Sequence, residues 1–92
     1  MSTTSDPVPS RIVEILKKHF AADTIVDVSP SGVRDNLHVL VVSGDLDKMT
    51  EIQKQEHLWG LLEDAVKQSS LDSADLNRIS LVLPVSVEEL KR

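Results

Sequence analysis

The chain has 92 residues, 40% of them hydrophobic and 27% charged, and a net charge of −5 from 15 acidic and 10 basic side chains. That length holds one domain, because two would each be too small to bury a core unaided. The sequence has no cysteine, which excludes disulfides, thiolate nucleophiles and cysteine-ligated metal sites, and its acidic surplus argues against a nucleic-acid binder, whose affinity comes largely from neutralised phosphates.

No apolar run approaches the ~20 residues of a membrane span. The opening MSTTSDPVPS carries neither a basic region nor an apolar stretch, so residues 1–9 are expected to form a flexible arm and not a secretory signal. The cytoplasm is the default compartment for such a chain. In SRIVEILKKHF, residues Ile12, Val13, Leu16 and Phe20 stand at helical spacing, which predicts a helix over about 10–21. Ser10 is its expected N-cap, and Lys17, Lys18 and His19 fall where cations suit the helix dipole. DTIVDVSP is rich in β-branched residues and reads as a strand; PSGVRDN is then a turn. LHVLVVS is apolar on both faces, as a central strand is, and it is expected to pair antiparallel with the strand before it.

GDLDKM breaks that strand. Thr50 and Gln53 then form a T-x-x-Q capping box, so a helix is expected from Glu51. Its core face is predicted to hold Ile52, Trp59, Leu62 and Val66, widened by Leu58, Leu61 and Ala65. One more helical turn is expected near Ser73 to Leu76. RISLVL is a third strand, stopped by Pro84, and Ser86 with Glu89 offers a second capping box for a short last helix. A strand–helix–strand crossover favours the third strand lying parallel to the second. The expected architecture is an α+β domain of order α-β-β-α-α-β, its three-stranded mixed sheet covered by helices on one face.

Residues that could carry chemistry have plainer readings. Trp59 stands at core spacing in KQEHLWGLLEDAV. Gly60 weakens a helix interior; the close approach of another helix or strand of the fold would explain it, with a partner's close approach the alternative. His57 adjoins Glu56, but neighbouring helical residues point in different directions and make no catalytic pair. Asp45, Asp47, Glu63 and Asp64 fit caps and a solvated face, and no P-loop, dinucleotide fingerprint or nucleophile elbow occurs. A non-enzymatic protein is expected. Lys17, Lys18, Lys54, Lys67 and Arg78 are the residues that could gather into a local basic patch.

The element order is that of the type II K-homology-like arrangement. Within it, HVLVVSGDLDKMTEIQKQEHLWGLLEDAV resembles the BolA family: a hydrophobic strand, a short stretch around a small or acidic residue, a basic Gln/His-rich helix start, then an aromatic before glycine, here Trp59 and Gly60. RISLVLPVSVEEL resembles the family's last strand and C-terminal helical turn. The likeness spans roughly residues 10–90 and makes residues 10–92 a single BolA-like domain. It implies a partner protein for monothiol glutaredoxins that shares or receives a 2Fe–2S cluster in iron–sulfur trafficking or redox regulation, with DNA binding known for some members.

The family pattern also shows where this sequence departs. The ligand histidine before the last strand falls at Asn77, and Ser31 to Asn36, the region of the second ligand, contains neither histidine nor cysteine. Asparagine is a poor iron ligand beside imidazole or thiolate. Either no cluster ligand is supplied, or a displaced histidine serves, with His38 the candidate metal ligand. The expected partner-contact residues are Arg34, Asn36, His38, Asn77 and Arg78. The alternative is a nucleic-acid-binding K-homology-like module, though its GXXG loop does not occur; a third reading is an assembly domain that forms a homodimer.

Overall fold

The computed structural model of the protein describes residues 7–90, the side chains of 89 and 90 excepted. Its elements are α1 (Val8–Lys17), β1 (Ile25–Pro30), β2 (Leu37–Ser43), a 3₁₀ turn over Gly44–Leu46, α2 (Glu51–Lys67), α3 (Ser73–Asn77), β3 (Ile79–Ser86) and α4 (Val87–Leu90). The sheet runs in the order β1-β2-β3, antiparallel between the first pair and parallel between the second. The expected three-stranded mixed sheet, with LHVLVVS at its centre, is what forms. Among the described residues no helix is long and apolar enough to cross a membrane.

α1 starts at Val8 and not Ser10. Its N-cap is Pro7 and a proline stands in its first turn, where the missing N–H is not needed. The early start also buries Val8 beside Ile12, Ile15 and Leu16. The helix ends at Lys17 and not residue 21, because the chain tightens: His19 N donates to the Leu16 carbonyl at 3.0 Å and Phe20 N to that of Lys17 at 3.5 Å. Asp45 Oδ2 then accepts from Ala21 N at 3.1 Å, tying this turn to the end of β2. Beneath it, Thr24 Oγ1 donates to the buried Ser43 Oγ at 3.0 Å, and Ser43 Oγ also accepts from Asp45 N.

The inner face of the sheet carries Leu37, Val39 and Val41 of β2 and Val82 of β3, packed against Ile12 and Leu16 of α1 and Leu58 and Leu62 of α2. Side chains of this size each contribute about 1.5–3 kcal/mol when fully buried. Alternation sends Ile25 and Asp27 of β1, His38 and Leu40 of β2, and Leu81 and Leu83 of β3 to the other face, where Ile25, Leu81 and Leu83 stay exposed.

α2 begins with the expected capping box: Gln53 N donates to Thr50 Oγ1 and Thr50 N to Gln53 Oε1. Its buried positions, however, are Lys54, Leu58, Leu62 and Ala65, and Ile52 is 71% exposed. Two residues before Lys54, Ile52 points to the opposite side of a helix with 3.6 residues per turn. Lys54 takes the inward place with its ammonium 2.7 Å from Glu51 Oε1. Trp59 is half-buried against the core, as its spacing indicates. Gly60 differs from the expectation of a close approach within the chain, since among the described residues a Cβ built on it meets nothing within 4 Å.

Pro84 does not stop β3. It pairs in register with Val41 and is buried, and the strand continues to Ser86. β3 is an edge strand, where a residue without an N–H is tolerated. Gln55 Nε2 donates to the Val82 carbonyl of this strand at 2.8 Å, tying α2 to it. At the start of α4, Glu88 N donates to Asp47 Oδ1 at 3.3 Å; the expected capping box of Ser86 and Glu89 rests on the Glu89 side chain, which lies outside the described residues.

Candidate partner-contact site

The loop of residues 31–36 between β1 and β2 is built by its own polar groups. Val33 N donates to Ser31 Oγ at 3.1 Å, Ser31 N to the Asn36 carbonyl at 2.9 Å, and Asn36 N to the Val33 carbonyl at 3.1 Å. So tight a turn needs left-handed backbone at two places: Gly32 at φ 90, which glycine adopts freely, and Arg34 at φ 51, which an arginine does not.

Arg78 joins this loop to the start of β3. Leu37 N donates to the Arg78 carbonyl at 2.7 Å, and Arg78 Nε donates to the Asp35 carbonyl at 2.8 Å. A register shift follows at once: Leu37 pairs with Ile79 but His38 with Leu81, leaving Ser80 as the extra residue. Bulges of this kind re-aim the side chains beside them. A cavity of about 280 Å³ opens where these parts meet, lined by Pro9, Pro30, Arg34, Asp35, Asn36, Leu37 and Arg78.

Three of the five expected contact residues, Arg34, Asn36 and Arg78, therefore line one cavity. Arg34 is exposed, and Asn36 and Arg78 are half-buried. Asn77 is exposed at the end of α3, outside the cavity lining. His38 stands on the outer face of the sheet between Ser29 and Leu81, away from the inward-facing Leu37 and Val39. Sequence reasoning missed the walls, Pro9 and Pro30. The sequence places Pro9 in the expected arm, and its position on α1 brings it here.

The polar groups around the cavity are two guanidinium donors, one amide, and the acceptor oxygens of one carboxylate and of main-chain carbonyls. A 2Fe–2S cluster takes thiolate or imidazole, so these residues do not fit one. Among the described residues no group of three His, Asp or Glu side chains is placed to hold a metal ion.

The five basic residues that could form one patch do not gather. Lys54 is 2% exposed, Arg78 is engaged at the β1–β2 loop, and Lys54 and Lys67 sit near opposite ends of α2, roughly 20 Å apart along its axis. A larger open groove, lined by Ser10, Arg11, Glu14, Lys18 and Ser70 among others, runs beside α1. Its charges are of mixed sign, and Arg11 is already paired with Asp75 at 3.7 Å. It gathers no convergent set.

No protein-family model matches the chain, and no curated protein matches it. Solved structures do. The solution structure of BolA1 from Mus musculus aligns with 99% of this chain and 74% of its own, at 14% identity and a TM-score of 0.59. BolA1 from Arabidopsis thaliana aligns with 89% of this chain and 92% of its own, at 15% identity and a TM-score of 0.54. At such identities the likeness speaks for architecture alone, and that architecture is the BolA-like fold.

Proposed function

We propose that this protein is a BolA-like adaptor: a non-enzymatic, cytoplasmic regulator that binds a monothiol glutaredoxin-type partner in iron–sulfur or redox homeostasis. One observation carries the reading. Residues chosen for their place in the family pattern, Arg34, Asn36 and Arg78, converge on a single cavity in a chain whose fold matches BolA1 over 99% of its length. The cavity's donors suit contact and not ligation, so in this reading any cluster in the complex is held by the partner's groups.

The test is co-expression with a monothiol glutaredoxin and iron, followed by affinity capture through this chain. Co-purification is expected, and Arg34→Glu, at an exposed position, should reduce it. Leu83→Thr on the opposite face of the sheet should not. If the two proteins never associate, the adaptor reading is wrong. A complex in which iron absorbance disappears with His38→Ala would show that His38 contributes a ligand after all.

A further inference from the structure

Two guanidinium groups from separate elements, Arg34 of the β1–β2 loop and Arg78 at the entry to β3, line one small cavity walled by Pro9, Pro30 and Leu37. Arg78 is oriented by its Nε bond to the Asp35 carbonyl. Arg34 adopts φ 51, in the left-handed region that most residues with a side chain occupy less readily than glycine. It makes no ion pair among the described residues, whereas Arg11 and Lys54 each have a carboxylate.

Guanidinium forks match carboxylates in shape and charge, and such charge-assisted bonds are among the stronger polar contacts. The Asn36 amide adds a neutral donor on the same wall. A volume of about 280 Å³ falls just below the range of small-molecule sites, which run ~300–1,000 Å³. It suits one acidic headgroup better than a cofactor. A polyanion is disfavoured twice over, by the chain's net charge of −5 and by the Asp35 carboxylate at the same cavity. From these features we infer that the cavity is a carboxylate receptor: it takes an acidic side chain or the C-terminal carboxylate of a protein partner. The inference rests on the reading of this face as the partner-contact surface and gives it a chemistry.

The full chain, labelled with ¹⁵N, is titrated with three probes while the Nε–H signals of Arg34 and Arg78 and the amides of 33–37 are followed. One probe is a glycine-rich peptide blocked at both ends and carrying a single glutamate. The second is the same peptide with a free C-terminus and no acidic side chain, and the third is inorganic phosphate. At least one peptide is expected to shift these signals saturably, and which one does identifies the source of the carboxylate. Arg34→Gly, which suits the left-handed backbone and so preserves the fold, should weaken binding by about ten-fold or more. Arg34→Lys should recover only part of it, because charge returns without the fork. The receptor is refuted by shifts spread equally over Arg11, Lys17 and Lys18, by an affinity unchanged in Arg34→Gly, or by a response to phosphate alone. Saturable peptide binding without glutaredoxin capture would remove the proposed partner and leave the receptor. Capture without peptide binding would do the reverse.

Discussion

Gly60 lies inside α2 with nothing within 4 Å of the Cβ it lacks. Glycine in a helix interior is about 1 kcal/mol less favourable than alanine, and here no crowding offsets that cost. Gly60→Ala is therefore expected to stabilise the protein by about 1 kcal/mol, read as a higher urea midpoint at unchanged slope; a lower midpoint would mean that something does approach this position. Ser69 presents the converse case. At φ 64 it occupies the left-handed position just after α2, with Ser70 N on the Ala65 carbonyl at 2.8 Å and Ser69 N on that of Val66 at 3.1 Å. Those two bonds make a Schellman motif, whose turning residue is usually glycine. Ser69→Gly should add about 0.5–1 kcal/mol by removing the Cβ strain, less the extra chain entropy that glycine loses on folding. The two positions are roughly 13 Å apart along the helix axis, so the gains should sum in the double variant.

The order of the elements was readable because its signals are local: β-branched runs for the strands, Thr50 and Gln53 for the start of α2, and turn residues between them. What escaped was decided by tertiary position. Polarity alone sends Lys54 outward and Ile52 inward, but the ion pair with Glu51 lets the lysine lie beside the core, and the frame of the helix rotates accordingly. Pro84 reads as a stop until its strand is known to be an edge. The candidate site divides in the same way. Arg34, Asn36 and Arg78 were reachable by analogy with a family pattern, whereas Pro9 reaches the cavity from the chain-distant α1, and Pro30, at the end of β1, carries no local mark of a cavity wall. The frame of α2 can be tested directly. Ile52→Lys should change stability by no more than about 0.5 kcal/mol, as exposed substitutions do. Leu62→Ala, at a fully buried site, should cost about 2–5 kcal/mol. Comparable losses in thermal or chemical melts for both variants would restore the face predicted from the sequence.

Taken as a whole, the described residues gather no set of three side chains that could hold a metal ion. His19 follows α1, His38 lies on the outer face of β2, and His57 is exposed on α2, edge-on to Phe20 at 5.7 Å between ring centroids. The residue directly across from His38 on β1 is Ser29 and on β3 is Leu81, so neither neighbour in its row offers a carboxylate or a second imidazole. Iron or zinc held by protein side chains takes three or four nitrogen, sulfur or carboxylate donors in a fixed geometry, and one imidazole on an open sheet supplies only a weak, monodentate contact. Titration of the isolated chain with zinc or ferrous iron, followed by calorimetry, should therefore give nearly the same curve for wild type and His38→Ala. A stoichiometric site lost in the variant would mean that His38 recruits donors from a rearranged loop, and the division between a proposed docking cavity at Arg34 and Arg78 and an outer face without ligand chemistry would no longer hold.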